Sequence, residues 1–577
     1  MKEIHGESAE ASADFASPRP ASIGVIADSS GPGGLTGPDR GWTRPLAVVL
    51  AGLAAVLAAE ILCVVIATHG HFVYALEAAY THLALAQQIA QGHYGLVPGE
   101  AAAPSSSILY PFLLAGLKFL GLGTKLPLAI NIASTLAAGV FAVLLAEACG
   151  LPLKGIPPLR LFLVTAVAAI SLDLPGLAVT GLEHSLHVAM TVAYLLGLVR
   201  FVIRGRCDWW WFACIIIQPI IRFEAAGMLV ADALIFVAFR RYGYALAMVA
   251  IGAALVGGYS LFLHSLGLPL LPSSVLARSD WSNAAVASHG GLFTVLATIL
   301  KNLYANLNSF GAAQMLGAVA LGLAWLGRVG PGLWQAPPDK SDQVKLVTLG
   351  FMSFVTVAQL TGGKIGWVPP RYEAYVLALN LCGIAIIFRE KASAWCKQAT
   401  WPRVSSVCLA LLLVFAGYAT QFLAIPALAR KEYQGPFQLH RFVSEFYRAP
   451  VAVNQIGYVN LGSPVYVLDL SGLGSEAART ARARERTPEW MDGLLASHHI
   501  GLAIIDTAND SAVPAAWIRV AELHLGSALS GDAARHFVIY ARRPGDVAAA
   551  ESALDRFAPT LPRGVHLTRK PAAGNPG

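Results

Sequence analysis

Charged residues are scarce in this sequence. Only 13% of its 577 residues are Asp, Glu, Lys or Arg, whereas 56% are hydrophobic. Soluble globular chains carry about 25% charged residues, so the composition excludes an ordinary soluble enzyme. The net charge of +7 does not indicate nucleic-acid binding, because the Lys and Arg residues fall mainly in short loops between apolar segments, as membrane orientation requires. We therefore predict a polytopic membrane protein.

Several familiar motifs are also missing. The seven cysteines form no CxxC and no Cys/His cluster, which argues against a zinc site. The chain has no GxGxxG nucleotide fingerprint, and we find no internal repeat of the kind that builds many transporters. Residues 1–40 are small, polar and rich in Pro and Gly. This pattern is typical of a disordered tail. It lacks the charged segment followed by an apolar segment that marks a cleaved signal peptide.

Apolar segments predict about eleven transmembrane helices. Arg40 and Arg44 precede the first span, which predicts a cytoplasmic N-terminus, and later basic clusters fall on that same side. Segment 76–91 fits an amphipathic helix, and 108–121 is too short to cross a bilayer. The predicted spans are 46–68, 127–149, 159–175, 188–203, 209–221, 226–239, 243–263, 311–327, 345–361, 373–388 and 403–425.

The composition changes after residue 428. Alternating apolar segments (PVYVLDL, GLAIIDT, HFVIYAR) predict strands, and PEWMDGLLASHH and AWIRVAEL predict helices between them. This is the pattern of an α/β domain. The predicted domains are a cytoplasmic tail over 1–44, a membrane domain over 45–427 with an outer loop at 69–126, and an extracytoplasmic α/β domain over 428–577.

The ionisable residues of the outer segments are candidates for chemistry, because charge at a membrane domain is costly to keep. Glu77 and Glu183 could act as a general base or hold a divalent metal through oxygen. Guanidinium groups bind phosphate in a bidentate manner. The candidates for phosphate binding are Arg222, Arg278, Lys364 and Arg371, and the other predicted cavity residues are Tyr80, His82, His184, Glu224 and Tyr372.

Each candidate also has a structural interpretation. Glu77 could lie on the wet face of an interfacial helix, and Glu183 and Arg222 could form a structural ion pair. The histidines are better suited to hydrogen bonding than to metal binding. Interfacial anchoring is the alternative for the remaining cations, which are Arg278, Lys364 and Arg371.

The stretch EAAYTHLALAQQIAQGHYGLVPGEAAAPSSSILYPFLL begins at Glu77. It resembles a motif of the GT-C superfamily of polytopic glycosyltransferases, and most of all of the cell-wall arabinofuranosyltransferases. It matches the first acid of that family's acidic pair, its PGE stretch and its Ser-rich entry to the next helix. The later pieces GLEHSL, RFEAAG, LLPSSVLAR, PPRYEAY and VAVNQIGYVNLGSPVYVLDLSGLGS follow in the family's order. The resemblance covers most of residues 45–475.

The resemblance implies transfer of a sugar from a polyprenyl phosphate to a hydroxyl of a periplasmic glycan, lipid or protein. It implies Glu77 as the base and a divalent metal (Mg, Mn or Ca) with Glu77 and Glu183 as candidate ligands. It also implies a bacterial cytoplasmic membrane and a periplasmic α/β domain. Two departures, Ala78 and Gln455 where the family has Asp, motivate a second hypothesis of a non-catalytic relative that binds lipid-linked sugar or glycan. The third hypothesis is that the chain is a lipid or solute transporter.

Overall fold

The structure is a computed structural model that describes residues 43–278, 291–333, 338–485, 487–508, 512–526 and 536–569. Its first part is helical, because a lipid-embedded apolar run satisfies its backbone hydrogen bonds as a helix. The helices of this part are α1 (Thr43–Ala67), α2 (Ala78–Ile89), α3 (Leu109–Gly116), α4 (Leu126–Ala148), α5 (Pro158–Ser171), α6 (Leu174–Val179), α7 (His184–Arg204), α8 (Trp209–Ile221), α9 (Ala226–Ala238), α10 (Tyr242–Ser265), α11 (Ser273–Arg278), α12 (Gly291–Leu307), α13 (Phe310–Leu333), α14 (Lys340–Gly362), α15 (Ala374–Ile387), α16 (Arg389–Lys397), α17 (Trp401–Val414), α18 (Ala416–Gln434) and α19 (Pro436–Arg441).

Six helices in the described part of the chain, α1, α4, α7, α10, α13 and α14, are long and apolar enough to cross a membrane. Helix α17 and the helical run that begins with α18 form a seventh candidate, bent by 75°. The protein is therefore a polytopic membrane protein. The count of eleven is not confirmed, because α5, α8, α9 and α15 coincide with predicted spans but have only 13 or 14 residues, against about 20 for a full crossing.

The basic turns that the sequence places on one side of the membrane contact one another. Arg160 Nη1 donates to the carbonyl of Ala399 at 2.6 Å, and Arg241 Nη2 donates to the carbonyl of Gly205 at 2.7 Å. Lys340 Nζ reaches the carbonyl of Val202 at 3.2 Å. These contacts join the start of α5 to the turn before α17, and the starts of α10 and α14 to the end of α7.

Helix α7 forms the centre of the bundle. Most of its residues are buried, Tyr194 and Leu195 completely. A helix that is apolar on nearly all sides is buried on all sides, and α7 accordingly packs against α4, α8 and α15. Its N-terminal end, at His184, is thereby held in a fixed position beside the neighbouring helix ends.

A mixed six-stranded sheet forms the C-terminal part, in the order β2-β1-β3-β5-β4-β6. Strand β1 pairs in parallel with β2 and β3, and the other pairs are antiparallel. The elements are β1 (Val451–Val453), α20 (Gly457–Asn460), β2 (Val467–Asp469), α21 (Glu476–Arg484), α22 (Trp490–Ser497), β3 (Leu502–Asp506), β4 (Ile518–His524), β5 (His536–Ala541), α23 (Pro544–Phe557) and β6 (His566–Arg569).

This sheet confirms an α/β domain, but one of its predicted helices is wrong. The segment AWIRVAEL forms strand β4, which is hydrogen-bonded on both sides by β5 and β6. Its Ala, Glu and Leu residues favour a helix in isolation. Pairing with two neighbours and burial of Val520 and Leu523 outweigh that preference.

The chain leaves β1 over one face of the sheet and returns to β3 over the other. Val459 of the first connection packs in the same cluster as Ile504, whereas Leu495 of the second packs with Ala452 and Ala503 on the opposite face. This change of direction places a topological switch point at the carboxyl ends of β1 and β3, and ligands of open α/β sheets bind at strand carboxyl ends near such a point. Asn454 lies at that edge, and its side chain exchanges hydrogen bonds with the backbone of Asp506 at 2.8 and 3.1 Å.

Candidate active site

A cavity of about 390 Å³ lies where the ends of several membrane helices meet the carboxyl ends of β1 and β2. Helix α2, the start of α7, the end of α8 and the segment before α15 supply one wall. The α/β domain supplies the other. The polar residues that line the cavity as a whole are Glu77, Thr81, His82, Ser106, Glu183, His184, Arg222, Ser274, Arg371, Tyr372, Glu432, Asn454, Gln455 and Ser471.

Arg222 is the most heavily hydrogen-bonded side chain of the cavity. It follows the last residue of α8, where the backbone is extended, so its side chain turns into the protein. Its Nη1 donates to Glu183 Oε1 at 2.6 Å and to Ser106 Oγ at 2.8 Å. Its Nε and Nη2 bind both oxygens of Glu224, at 3.1 and 2.6 Å. Only 5% of Arg222 is exposed, so the cation is fixed in place.

Glu183 remains ionised although it is almost fully buried. Burial by itself raises the pKa of Glu183, but the charges of Arg222 and His82 and the hydrogen bond from Arg222 outweigh it, so the pKa lies below its ordinary value. His82 Nδ1 lies 3.7 Å from the second carboxylate oxygen. For Arg222, burial lowers the pKa, yet Glu224 and Glu183 raise it by more. The pair therefore stays charged at neutral pH.

Tyr372 lies against two guanidinium groups. The Arg222 guanidinium carbon is 4.9 Å from the centre of the Tyr372 ring, and that of Arg371 is 4.7 Å from it. Cation–π attraction to one ring helps to hold two like charges close together. Arg371 Nη1 donates to the carbonyl of Pro369 at 3.0 Å. Its Nε is buried and has no acceptor among the described residues, so this N–H is available to an anionic ligand.

Glu77 lies just before α2, at the start of the same cavity. Its Oε1 accepts a hydrogen bond from the backbone N–H of Gly457 at 2.6 Å. Gly457 begins α20, four positions after the last residue of β1. A Cβ atom at position 457 would lie 2.5 Å from both Glu77 Cγ and the Glu77 carbonyl oxygen. The absence of a side chain at this glycine is what allows the α/β domain to approach the carboxylate.

The structure brings most of the predicted site residues together. Seven line the cavity: Glu77, Glu183, Arg222, Arg371, His82, His184 and Tyr372. Tyr80 lies beside it, where its hydroxyl accepts from the backbone N–H of Tyr74 at 2.8 Å and its ring is 4.0 Å from that of Tyr458. Glu224 binds Arg222, and Lys364 is not part of the lining. The side chain of Arg278 lies outside the described residues.

Sequence reasoning predicted that the α/β domain covers the cavity and binds the acceptor glycan, but it missed the residues that the domain contributes to the lining. Asn454 and Gln455 follow β1, and Ser471 follows β2, so all three lie at strand carboxyl ends. The motif VAVNQIG could have pointed to them, because open α/β sheets bind ligands at the carboxyl ends of their strands. Asp469 shapes the second loop by accepting from the backbone N–H groups of Ser471 and Gly474 at 2.8 and 2.6 Å. No sequence signal marked Glu432.

No metal centre is evident in the part of the chain that the structure describes. There, no group of three or more His, Cys, Asp or Glu side chains is arranged to hold an ion. Glu183, one of the two predicted ligands, already accepts a hydrogen bond from Arg222. The donor set does not fit a divalent ion, and the Mg, Mn or Ca cofactor stays a prediction.

The fold and the cavity define a class: a polytopic membrane protein whose polar, charged cavity is closed by an α/β domain. A family model described as a domain of unknown function (DUF8728) matches residues 423–540, from within α18 to the penultimate residue of β5. A search of curated proteins finds no match to the sequence.

Two solved structures are similar to this chain at low sequence identity. ArnT from Cupriavidus metallidurans, bound to undecaprenyl phosphate, has 12% identity and a TM-score of 0.39, over 88% of this chain and 99% of that one. The oligosaccharyltransferase of Archaeoglobus fulgidus, in complex with Zn and sulfate, has 12% identity and a TM-score of 0.44, over 85% of this chain and 73% of that one. These scores are too low to assign a function, which must come from the chemistry of the cavity and from the motifs.

Proposed function

We propose that this chain is a membrane glycosyltransferase of the GT-C type. It would transfer a sugar from a polyprenyl phosphate to a hydroxyl of a cell-envelope glycan, lipid or protein, at the periplasmic face of a bacterial cytoplasmic membrane. One observation carries the proposal: a single cavity at the ends of membrane helices is lined by a carboxylate, Glu77, and by two guanidinium groups, Arg222 and Arg371. A carboxylate suits an acceptor hydroxyl, and guanidinium groups suit a phosphate.

Glu77 is proposed as the general base. Its carboxylate would take the proton of the acceptor hydroxyl while the acceptor oxygen forms a bond to the anomeric carbon of the sugar. The bond between that carbon and the phosphate oxygen breaks, and polyprenyl phosphate leaves with the electron pair. The hydrogen bond from Gly457 would fix the carboxylate in position beside the acceptor hydroxyl.

Arg222 and Arg371 are proposed to bind the phosphate and to offset the negative charge that develops on the leaving group. The unused N–H of Arg371 Nε gives the phosphate a donor that no protein atom among the described residues occupies. Glu183 is better suited to positioning than to proton transfer, because it is 1% exposed and ion-paired with Arg222. A structural ion pair between Glu183 and Arg222 is therefore compatible with a role of Glu183 in positioning Arg222 in the site.

The location of the cavity fits a donor with two parts. A polyprenyl tail is soluble in lipid, and a phosphosugar is soluble in water. Helix α7, which is long enough to span the membrane, begins at one wall of the cavity, and polar residues of the sheet domain line the other wall. A donor of this kind could keep its tail among the helices while its sugar enters the polar space.

Ala78 supports a second candidate, a non-catalytic relative that binds lipid-linked sugar. This residue lies beside Glu77 in the cavity lining, and the arabinofuranosyltransferases that the chain resembles have Asp at that position. If the second acid of their pair is the base, the chain lacks it.

The test is sugar transfer by membranes that contain the native protein or Ala78→Asp, with a panel of radiolabelled polyprenyl-phosphate sugars that includes the arabinofuranosyl donor. Transfer by the native protein supports the enzyme. Donor binding without transfer, together with a gain of transfer in Ala78→Asp, would establish the non-catalytic relative. Neither donor binding nor transfer by either protein would overturn both candidates.

A further inference from the structure

Two uncharged side chains that line the cavity carry a buried polar atom with no hydrogen-bond partner in the part of the chain that the structure describes. They are Ser274 and Gln455, and the atoms are the Ser274 Oγ and the Gln455 Oε1. An unpaired buried polar atom costs stability, and nearly all such atoms in folded proteins are bonded to protein or to ordered water. A substrate that enters the cavity can supply the missing partner.

Ser274 is linked to the segment that holds Arg222. It is the second residue of α11, and the backbone N–H of the first, Ser273, donates to the carbonyl of Ala103 at 3.0 Å. Three residues after Ala103, the Oγ of Ser106 accepts from Arg222 Nη1 at 2.8 Å. One short segment thus contacts both α11 and the guanidinium group. Ser274 therefore belongs to the side of the cavity that is proposed to bind the phosphate.

Gln455 belongs to the side of the cavity that holds Glu77. It lies in the loop after β1, which is fixed on both sides of this residue. Before it, Asn454 exchanges hydrogen bonds with the backbone of Asp506 at 2.8 and 3.1 Å. After it, the backbone N–H of Gly457 donates to Glu77 Oε1 at 2.6 Å. A loop that is already ordered lowers the entropy cost of binding a ligand.

The donor sugar is the part of the substrate that lies between these two sides. In the proposed reaction its anomeric carbon is bonded to the phosphate at Arg222 and is attacked by the hydroxyl at Glu77. The phosphate and the proton already have charged partners in the cavity. A serine hydroxyl and a glutamine amide both donate and accept hydrogen bonds, as sugar hydroxyls do, and neither carries a charge for a phosphate. Ser274 and Gln455 therefore suit the sugar.

We propose that Ser274 and Gln455 determine which sugar the cavity accepts, by hydrogen-bonding to hydroxyl groups of the sugar that the polyprenyl phosphate carries. This inference rests on the proposed function and adds the residues that set its specificity. The arabinofuranosyltransferases that the chain resembles have Asp at position 455. A carboxylate only accepts hydrogen bonds, whereas the amide of Gln455 also donates them, so the proposed contact is particular to this chain.

The experiment measures equilibrium binding of donors to the full chain in lipid nanodiscs. The probes are polyprenyl phosphate without a sugar and polyprenyl phosphates that carry arabinofuranose, glucose, mannose or galactose. The cavity variants are Ser274→Ala and Gln455→Leu. Their matched controls are Ser444→Ala and Gln421→Leu, which remove the same chemical groups, likewise without a partner among the described residues, from positions that do not line the cavity.

We expect the native protein to bind at least one sugar donor more tightly than sugar-free polyprenyl phosphate. Each cavity variant should reduce that preference about threefold to tenfold, since one hydrogen bond is lost. Its affinity for sugar-free polyprenyl phosphate should stay native, and so should every affinity of the two controls. A cavity variant that keeps the full preference, or that weakens sugar-free polyprenyl phosphate equally, would overturn the inference.

Deoxy analogues of the best-bound donor, each with one hydroxyl replaced by hydrogen, test for direct contact. For one analogue, the native affinity should fall, and the cavity variant should bind that analogue and the parent donor equally. Additive losses for every analogue would contradict a direct contact. Native protein that binds polyprenyl phosphate with no preference for a sugar would refute this inference alone. Failure to bind any of the probes would refute the proposed function as well.

Discussion

The carboxylate of Glu77 accepts a hydrogen bond of 2.6 Å from the backbone N–H of Gly457, which lies 380 positions later in the chain. The contact joins the start of the first helix after α1 to the first loop of the sheet domain. It fixes the orientation of the one carboxylate in the cavity that is only partly buried and is not paired with Arg222. The α/β domain is thus part of the site and more than a cover over it.

Gly457→Ala tests this contact. The new Cβ would lie 2.5 Å from Glu77 Cγ and from the Glu77 carbonyl oxygen, so the carboxylate or the loop has to move. We expect transfer to fall about tenfold to hundredfold, the scale of a misplaced catalytic group. Gly493→Ala is the control, because a Cβ there meets no atom within 4 Å. Equal activity in the two variants would show that the contact does not position the base.

Glu183→Gln is expected to lower stability. Removing the negative charge leaves Arg222, which is 5% exposed, with one carboxylate fewer, and breaking a buried ion pair costs about 3 kcal/mol or more. Thermal unfolding in detergent measures the loss. Glu224→Gln, whose side chain is 20% exposed, provides the comparison and should lose less. The opposite order would mean that Glu224 is the main partner of Arg222.

The pH dependence of the stability lost in Glu183→Gln follows from the direction in which the pKa of Glu183 is shifted. The pKa of Glu183 lies below its ordinary value of 4.5, so its stabilising contribution is complete above 4.5 and declines as the pH falls through the folded-state pKa. The difference in stability between native protein and Glu183→Gln should be constant above about pH 5 and shrink in more acidic solution. Unfolding curves across this range check it. A difference that shrinks near neutral pH would contradict an ionised Glu183.

Arg371→Ala should weaken donor binding. The substitution removes the N–H group that has no acceptor among the described residues and one of the two cations beside Tyr372. A charge-assisted hydrogen bond to phosphate is worth enough for a loss of about tenfold or more in affinity. Equilibrium binding of a polyprenyl-phosphate sugar measures it. Arg403→Ala, which removes an exposed arginine that hydrogen-bonds to Gln398, is the control, and an equal loss there would indicate a nonspecific effect of charge.

The helices and the residues of the membrane side of the cavity could be predicted from the sequence, because apolar length and isolated charges are local signals. Glu183 and Arg222 were predicted to be charged groups at helix ends, and they lie directly before α7 and directly after α8. That these are the outer ends stays a prediction. The orientation of Glu77 could not be predicted, because its partner Gly457 is distant in the chain. Strand β4 was missed for the same reason, since its pairing with β5 and β6 decides its conformation.

The most direct measurement is the single-turnover rate of polyprenyl phosphate release from a radiolabelled donor, in native protein and in Glu77→Gln at equal donor occupancy. A general base typically contributes about a hundredfold or more to a rate. The account predicts unchanged donor binding and a rate at least about a hundredfold lower in Glu77→Gln. Release in Glu77→Gln at the native rate would contradict Glu77 as the base and with it the proposed mechanism.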